Sequence, residues 1–425
     1  MENPVLDIFS EALEDTSIDS VEYHPYSSND VGVPGTTKTR FEIQHKDQDS
    51  FINYARSYLE VKCKIVKADG TNFTGSELIA LQNNGYSLFE RAQLLIDNQV
   101  IEEVQHPGIA STMRALAEWS ADYANTAGSN MGWYQDTGTG TAVTADNVGF
   151  ASRQALHTNS QQITLYMPLK HLFGYCQDVD KVTKGLRFSL VLNKNQAGNS
   201  IHSGVGAPAN ALVHINKIQL WVATVKPSLE MVSRIEGRLA QGFTQKLNWR
   251  GMSMYRSPSF QEATPSYRIT TNITQPTNVF VGIQTTATDG AQGSNNQIFS
   301  SNGLTEAELR VNNVQYPREK LTMDFTANSV DTGRMYQMFQ SYKNKFHDNE
   351  NGNLVNIVDF NSIYPLVHFD LTNVEKSVFN VNGGCDLEFR CRQSAGTAVQ
   401  FYVLVLHERE AVAHSNGSQI RLEQL

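Results

Sequence analysis

A few places in this 425-residue sequence bring together residue types that could do chemistry. His407-Glu408 begins like the helical zinc-protease pattern, which needs a second histidine one turn later. Position 411 is Ala411 and the segment reads as a strand end, so no metal site is expected there. Cys385 and Cys391 lie six apart in one expected strand. That spacing points both to one face at about 20 Å separation, too far for a shared ion or a disulfide. Gly204-Val205-Gly206 and Gly138-Thr139-Gly140 are glycine-rich fragments. Neither runs from a strand into a helix with a further glycine and lysine, the arrangement that cradles phosphate. Carboxylate pairs for glycoside hydrolysis converge from distant strands, and no local motif supports one. Lys246, Arg250, Tyr255 and Arg256 surround Trp249 as a modest basic patch, read as an inter-subunit or solvent face. A platform for single-stranded nucleic acid would interleave aromatics with basic residues along one sheet face, and the four tryptophans are scattered. The chain therefore reads as a non-enzyme, with no catalytic residues, no cofactor and no metal.

Two histidines share a local string. Pro168-Leu169-Lys170-His171 follows Tyr166-Met167, and Pro365-Leu366-Val367-His368 follows Tyr364. Each histidine sits just past a proline at a strand edge, which favours packing or hydrogen bonding over metal ligation. Eighteen residues after Pro168 comes the strand Leu186 to Leu192, and 22 residues after Pro365 comes Leu387 to Cys391. One more apolar strand follows in each half, Ile218 to Val225 and Val399 to Leu406. Three elements in the same order at similar spacing indicate one β domain built twice.

The elements that position these residues are mostly strands. Thr39 to Gln44 alternates, and so does Tyr58 to Val66, with Leu59, Val61, Cys63 and Ile65 on one face. Ala92 to Val104 reads as a hairpin with Asp97-Asn98 at its tip, and Leu309 to Tyr316 as its parallel with Asn312-Asn313. A helix follows each hairpin, one opened by Pro107 and one starting near Asp331. Leu321 to Phe325 reads as an extra strand in the second half. Three low-complexity stretches, Thr126 to Val148, Gln196 to Asn210 and Thr285 to Asn302, are too polar for a core and are expected on the surface. Between the halves, Ser228 is placed to cap a helix Leu229 to Ala240 with Leu229, Val232, Ile235 and Leu239 as its apolar face. Residues 1 to 20 form an acidic arm in which Val5, Ile8, Phe9, Ala12 and Leu13 recur at helical spacing.

Composition narrows the partners. The chain has 34 basic against 43 acidic residues, a formal charge of -9, with no basic tail or stripe of the kind that coats nucleic acid. No apolar run approaches the eighteen residues of a membrane span. Met1-Glu2-Asn3-Pro4 does not open a secretory pattern. Cys63, Cys176, Cys385 and Cys391 are too few for a disulfide framework and read as thiols of a reducing compartment. The sequons at Asn72, Asn272 and Asn416 are then expected to be idle.

Several stretches carry a resemblance. They are Val21-Glu22-Tyr23-His24-Pro25, the strand Tyr58 to Ile65 ending in Ala68-Asp69-Gly70, and Tyr86-Ser87-Leu88-Phe89 before Leu95 to Ile101. Ile218-Gln219-Leu220-Trp221-Val222 before Lys226-Pro227-Ser228 is another. Together they resemble the double jelly-roll major capsid proteins of adenoviruses, tailless membrane-containing phages, nucleocytoplasmic large DNA viruses, virophages and Polinton/Maverick elements. Polinton-type and adintovirus-like sequences are nearest. The resemblance implies an all-β fold with short helices: two tandem eight-stranded antiparallel jelly-roll barrels joined by a helical linker. The division expected is an arm at 1–20, a first jelly roll at 21–228, a linker helix at 229–240 and a second jelly roll at 241–425. It further implies a homotrimeric, pseudo-hexagonal capsomer that tiles an icosahedral shell, located in the virion. Self-contacts come first among its partners, then penton and minor capsid proteins and an inner membrane, with no sequence-specific nucleic acid. Val5, Ile8, Phe9 and Leu13 are the expected assembly residues. The competing reading is a cellular two-jelly-roll glycan-binding or glycan-hydrolysing protein, which would need a cleft of carboxylates and tryptophans.

Overall fold

The computed structural model describes residues 17–424 except 29–36, 44–49, 74–76, 139, 142, 144–145, 205–209, 243, 271–272, 274, 327–329, 347–351, 375–377, 380–384 and 416–419. Val5, Ile8, Phe9 and Leu13 lie outside the described residues, as do parts of both glycine-rich fragments.

Among the described residues ten strands precede the central helix and nine follow it; the first ten are β1 Ile18–Ser27, β2 Lys38–Ile43, β3 Phe51–Val66, β4 Ile79–Leu81, β5 Phe89–Ile96, β6 Gln99–Gln105, β7 Ile163–Pro168, β8 Phe188–Lys194, β9 Ile201–Ser203 and β10 Leu212–Pro227. The other nine are β11 Thr244–Arg256, β12 Ser266–Thr270, β13 Pro276–Thr285, β14 Glu306–Val311, β15 Val314–Thr322, β16 Leu366–Asp370, β17 Asp386–Arg392, β18 Val399–Ser415 and β19 Ile420–Gln424. The helices are α1 Pro107–Glu118, α2 Ala121–Tyr123, α3 Val148–Leu156, α4 Gly174–Asp178, α5 Ala197–Ser200, α6 Leu229–Ala240, α7 Gly333–Phe346 and α8 Ile357–Ser362.

The strand order is the same on both sides of α6. In the first half one sheet runs β1-β10-β3-β7 and its partner β2-β8-β5-β6; in the second they run β11-β18-β13-β16 and β12-β17-β14-β15. Leaving aside the small ribbon β4-β9 and the added β19, both halves read 1-8-3-6 and 2-7-4-5 in chain order. Every strand pairing among the described residues of these sheets is antiparallel. Each barrel thus folds two four-stranded sheets over one core.

Alternation explains which residues fill those cores. In β3, Leu59, Val61, Cys63 and Ile65 are buried and Tyr58, Lys62 and Lys64 are half-buried on the other face. Across the first core Tyr54 stacks on Phe188 at 3.9 Å; in the second, Phe389 meets Phe401 edge-on at 5.3 Å. Burying each such side chain contributes about 1.5–3 kcal/mol. Both hairpin tips bend through two consecutive positive-φ residues, Asp97 (51°) and Asn98 (65°), and Asn312 (48°) and Asn313 (68°). Asp and Asn tolerate that conformation, and it matches the right-handed twist of the flanking strands.

Some expectations change. Leu321 and Thr322 finish β15 rather than start a separate strand, and Asp324 makes only an isolated bridge with Asp331. Cys385 precedes β17 instead of lying in it. The Pro-Leu-x-His copies are not equivalent: β7 ends at Pro168, so His171 lies beyond it, whereas β16 starts at Leu366 and contains His368. The duplication rests on strand order, not on that string. Ser228 does not cap α6 with its side chain; its backbone N–H donates instead to the Ser17 carbonyl at 3.0 Å. Of the apolar face of α6 only Val232 and Leu239 are buried, and Leu229 is 85 % exposed.

Candidate functional site

Among the described residues no group of three or more His, Cys, Asp or Glu is placed to hold a metal ion. No described helix is long and apolar enough to cross a membrane. The four cysteines are buried and unpaired. Burial pushes the Cys63, Cys385 and Cys391 thiols up to about 12, so they are inert at neutral pH. His407, the start of the zinc-like pattern, is buried in β18 within 3.1 Å of the Ser253 hydroxyl. What the molecule does offer is a built seam between its halves and an aromatic outer face.

The seam begins at Glu102, a fully buried residue of β6. Its carboxylate accepts backbone N–H bonds from Gly174 (3.0 Å) and Tyr175 (3.1 Å) in the first half and from Met252 (2.8 Å) in the second. Burial holds this carboxyl above its usual range, and the three N–H groups and Arg409 oppose that. The Arg409 guanidinium donates to the Ile101 carbonyl. Beside it Tyr175 meets Trp249 at 90° and 5.4 Å, and Arg250 pairs with Asp178 at 3.2 Å. Of the basic patch expected to face solvent or another subunit, Trp249 is buried and Arg250 half-buried against Tyr175 and Asp178 of the first half, whereas Lys246 stays exposed. The backbones meet so closely that a Cβ on Gly174 would lie 1.7 Å from the Arg250 carbonyl oxygen, and one on Gly198 1.9 Å from that of Gly290. Only glycine permits such an approach.

The helices after the hairpins meet in the same seam. Arg114 and Glu118 form a buried ion pair at 3.0 Å within α1, and the Tyr342 hydroxyl of α7 donates to Glu118 at 3.1 Å. The repeated histidines each brace one of these regions. His171 lies 2.7 Å from the Tyr123 hydroxyl and edge-on to Trp119; His368 lies 2.7 Å from the Met338 carbonyl and stacks on Phe280. Burial pushes their imidazoles down to about 3 and about 4, so both are neutral. Packing and hydrogen bonding, as read from sequence, is their role.

The polar loops expected on the surface instead build much of the seam. Asp136 is fully buried and accepts from Arg153 (2.8 Å), Asn147 (3.0 Å) and Asn295 of the second half (2.8 Å). Thr112 donates to Gln297 at 2.6 Å, Gln82 to the Ser294 carbonyl at 2.7 Å, and Asn296 to the Asn199 carbonyl at 2.9 Å. Polar loops can be buried when each finds partners, and these find them in the other half. The run Asn295-Asn296-Gln297 is the sequence signal that could have marked this loop, since consecutive amides supply both donors and acceptors.

On the outer face of β1-β10-β3-β7, four aromatics gather that sequence reading left apart. Tyr58 lies 5.5 Å from Tyr23, 5.8 Å from Tyr166 and 6.2 Å from Trp221. Trp221 donates its indole N–H to Glu60 at 2.6 Å, which lets that carboxylate stay buried and holds it below its usual range despite desolvation. Each aromatic was visible in its own strand. Their gathering depends on the strand order.

The pattern of the double jelly roll-like domain matches residues 87–411. The chain belongs to that family. Solved structures agree with the double jelly roll end to end. A chain of the Sputnik virophage structure matches with a TM-score of 0.63 at 12 % identity, covering 100 % of this chain and 92 % of that one. The Faustovirus major capsid protein matches at 0.56 and 8 % identity, covering 95 % and 92 %. The mavirus major capsid protein matches at 0.52 and 11 % identity, covering 98 % and 92 %. No curated protein sequence matches this double jelly roll.

Proposed function

We propose that this chain is a structural major capsid protein. Three copies close into a capsomer of six barrels, a nearly hexagonal outline that tiles an icosahedral facet. The observation that carries the reading is the doubled 1-8-3-6 and 2-7-4-5 barrel on one rigidly knit chain, matched along nearly its whole length by viral capsid chains. Two barrels per chain give sixfold-like packing with three copies, and cyclic closure is the usual solution for identical chains. The aromatic face around Tyr58 supports such contacts, because tyrosine and tryptophan are enriched where subunits meet. The packed seam favours a building block over a glycan-binding cleft, and no catalytic role is assigned.

The same proposal divides the chain into an arm at 1–20, barrels at 21–228 and 241–425, and the linker helix α6 between them. The arm, through Val5, Ile8, Phe9 and Leu13, serves assembly. Penton and minor capsid proteins and an inner membrane are the further partners, the virion is the site of action, and the protein is made in a reducing compartment. Negative-stain imaging of the purified protein tests this: hexagonal particles with six lobes are expected, and single two-lobed particles would remove the basis of the reading.

A further inference from the structure

One apolar groove is left open at the end of the molecule where the barrels join α6. It has a volume of about 460 Å³, and its walls include Phe51, Val179 and Val182 of the first half, Ile235 and Leu239 of α6, and Leu247 of the second half. That volume accommodates a few large apolar side chains and falls in the usual range for a binding pocket. Lys181 and Arg238 stand at its rim, and no ion pair holds either of them among the described residues.

We propose that this groove seats the chain's own N-terminal arm, residues 1–16, as a helix laid along α6. The inference rests on the assembly role given to the arm and names the surface its stripe packs on. Three observations carry it. The described chain begins beside α6: Ser17 accepts a hydrogen bond from the N–H of Ser228, directly before Leu229. That puts the start of the described chain at the same end of the sheet as α6, since Ile18 pairs with Pro227. α6 has 12 residues and is about 18 Å long at helical rise. Sixteen residues reach about 53 Å when extended, so the groove is within range even when part of the arm is helical.

The second observation is the uncovered stripe on α6. Leu229 is 85 % exposed next to the arm's root, and Ile235 is half-buried further along the same helix. An amphipathic arm with Val5, Ile8, Phe9 and Leu13 on one side supplies the missing apolar partner. The third is charge. The arm carries Glu2, Asp7, Glu11, Glu14 and Asp15 and no lysine or arginine, and it would meet Lys181 and Arg238. A seated arm braces α6, and α6 sets the angle between the barrels. That is how an arm outside both cores serves assembly.

The test uses the full chain with benzoylphenylalanine in place of Phe9. After irradiation, the account expects a cross-linked species of single-chain mass, 47.4 kDa, with the adduct mapped by mass spectrometry to Val182, Ile235 or Leu247. Adducts joining two chains, or falling outside the groove, would overturn it. In parallel, amide exchange of Ile235 to Ala240 should speed tenfold or more in the Ile8→Asp, Phe9→Asp full chain. Unchanged exchange there would also overturn it. Light scattering on the same samples separates the two readings: a trimer with no groove adduct defeats the seat but leaves the capsomer standing.

Discussion

Acidification from pH 7 to pH 5.5 is expected to cost the fold about 4–6 kcal/mol, and the source is its buried histidines. His157, His202, His368 and His407 are all buried. Desolvation pushes the first three down to about 4 and His407 to about 3. Each is neutral when folded, whereas in the unfolded chain each takes up a proton near pH 6.5. Stability is therefore full above 6.5, falls as pH drops below it, and stops falling once the folded imidazoles protonate near 3 to 4. Between pH 7 and 5.5 each such group contributes a loss of about 1.2 kcal/mol, and with His171, pushed by burial to about 3, five give about 6 kcal/mol. Glu102, held above its usual range by burial, works in the other direction. As a single proton it returns at most about 2 kcal/mol over that interval. Urea unfolding at the two pH values, at one fixed protein concentration because association adds stability by mass action, measures the difference. His202→Gln should remove about a fifth of the histidine effect. Equal stability at both pH values would refute the assignment of these rings as buried and neutral.

Three further outcomes follow from the seam and the arm. Gly174→Ala forces a Cβ to within 1.7 Å of the Arg250 carbonyl oxygen, so the halves must move apart; a loss of about 2 kcal/mol or more is expected, read as a lower thermal midpoint. Asp136→Asn leaves the Arg153 guanidinium buried without its carboxylate, costing about 3 kcal/mol by urea unfolding. A loss under about 0.5 kcal/mol would mean that the network carries little. Removing residues 1–16, which leaves β1 whole, should keep the circular dichroism spectrum while reducing shell assembly, and undiminished assembly would make the arm a mere terminus.

What could be read from sequence divides along a physical line. Strands with one buried face, such as β3 with Leu59, Val61, Cys63 and Ile65, announce themselves by period-2 alternation. Hairpin tips show because Asp97-Asn98 and Asn312-Asn313 are the residue types that tolerate positive φ. The linker helix had its bounds, Leu229–Ala240, from an amphipathic pattern followed by Gly242. The seam was hidden because its partners lie far apart in sequence: Asp136 meets Asn295, and Arg250 meets Asp178. Burial of polar loops depends on what covers them, and composition does not carry that information. The Pro-Leu-x-His string misled in detail since four residues fix no register, although the larger order around it was sound. Burial of only part of the α6 stripe was also invisible, because amphipathicity says that a face wants cover without saying what supplies it.

The central claim is that this double jelly roll is one third of a capsomer. Static light scattering on the purified protein at micromolar concentration tests it most directly. Three chains of 47.4 kDa give about 142 kDa, with little monomer, since obligate interfaces of this kind bury on the order of 2,000 Å² or more. A stable species at the single-chain mass under those conditions would contradict the account.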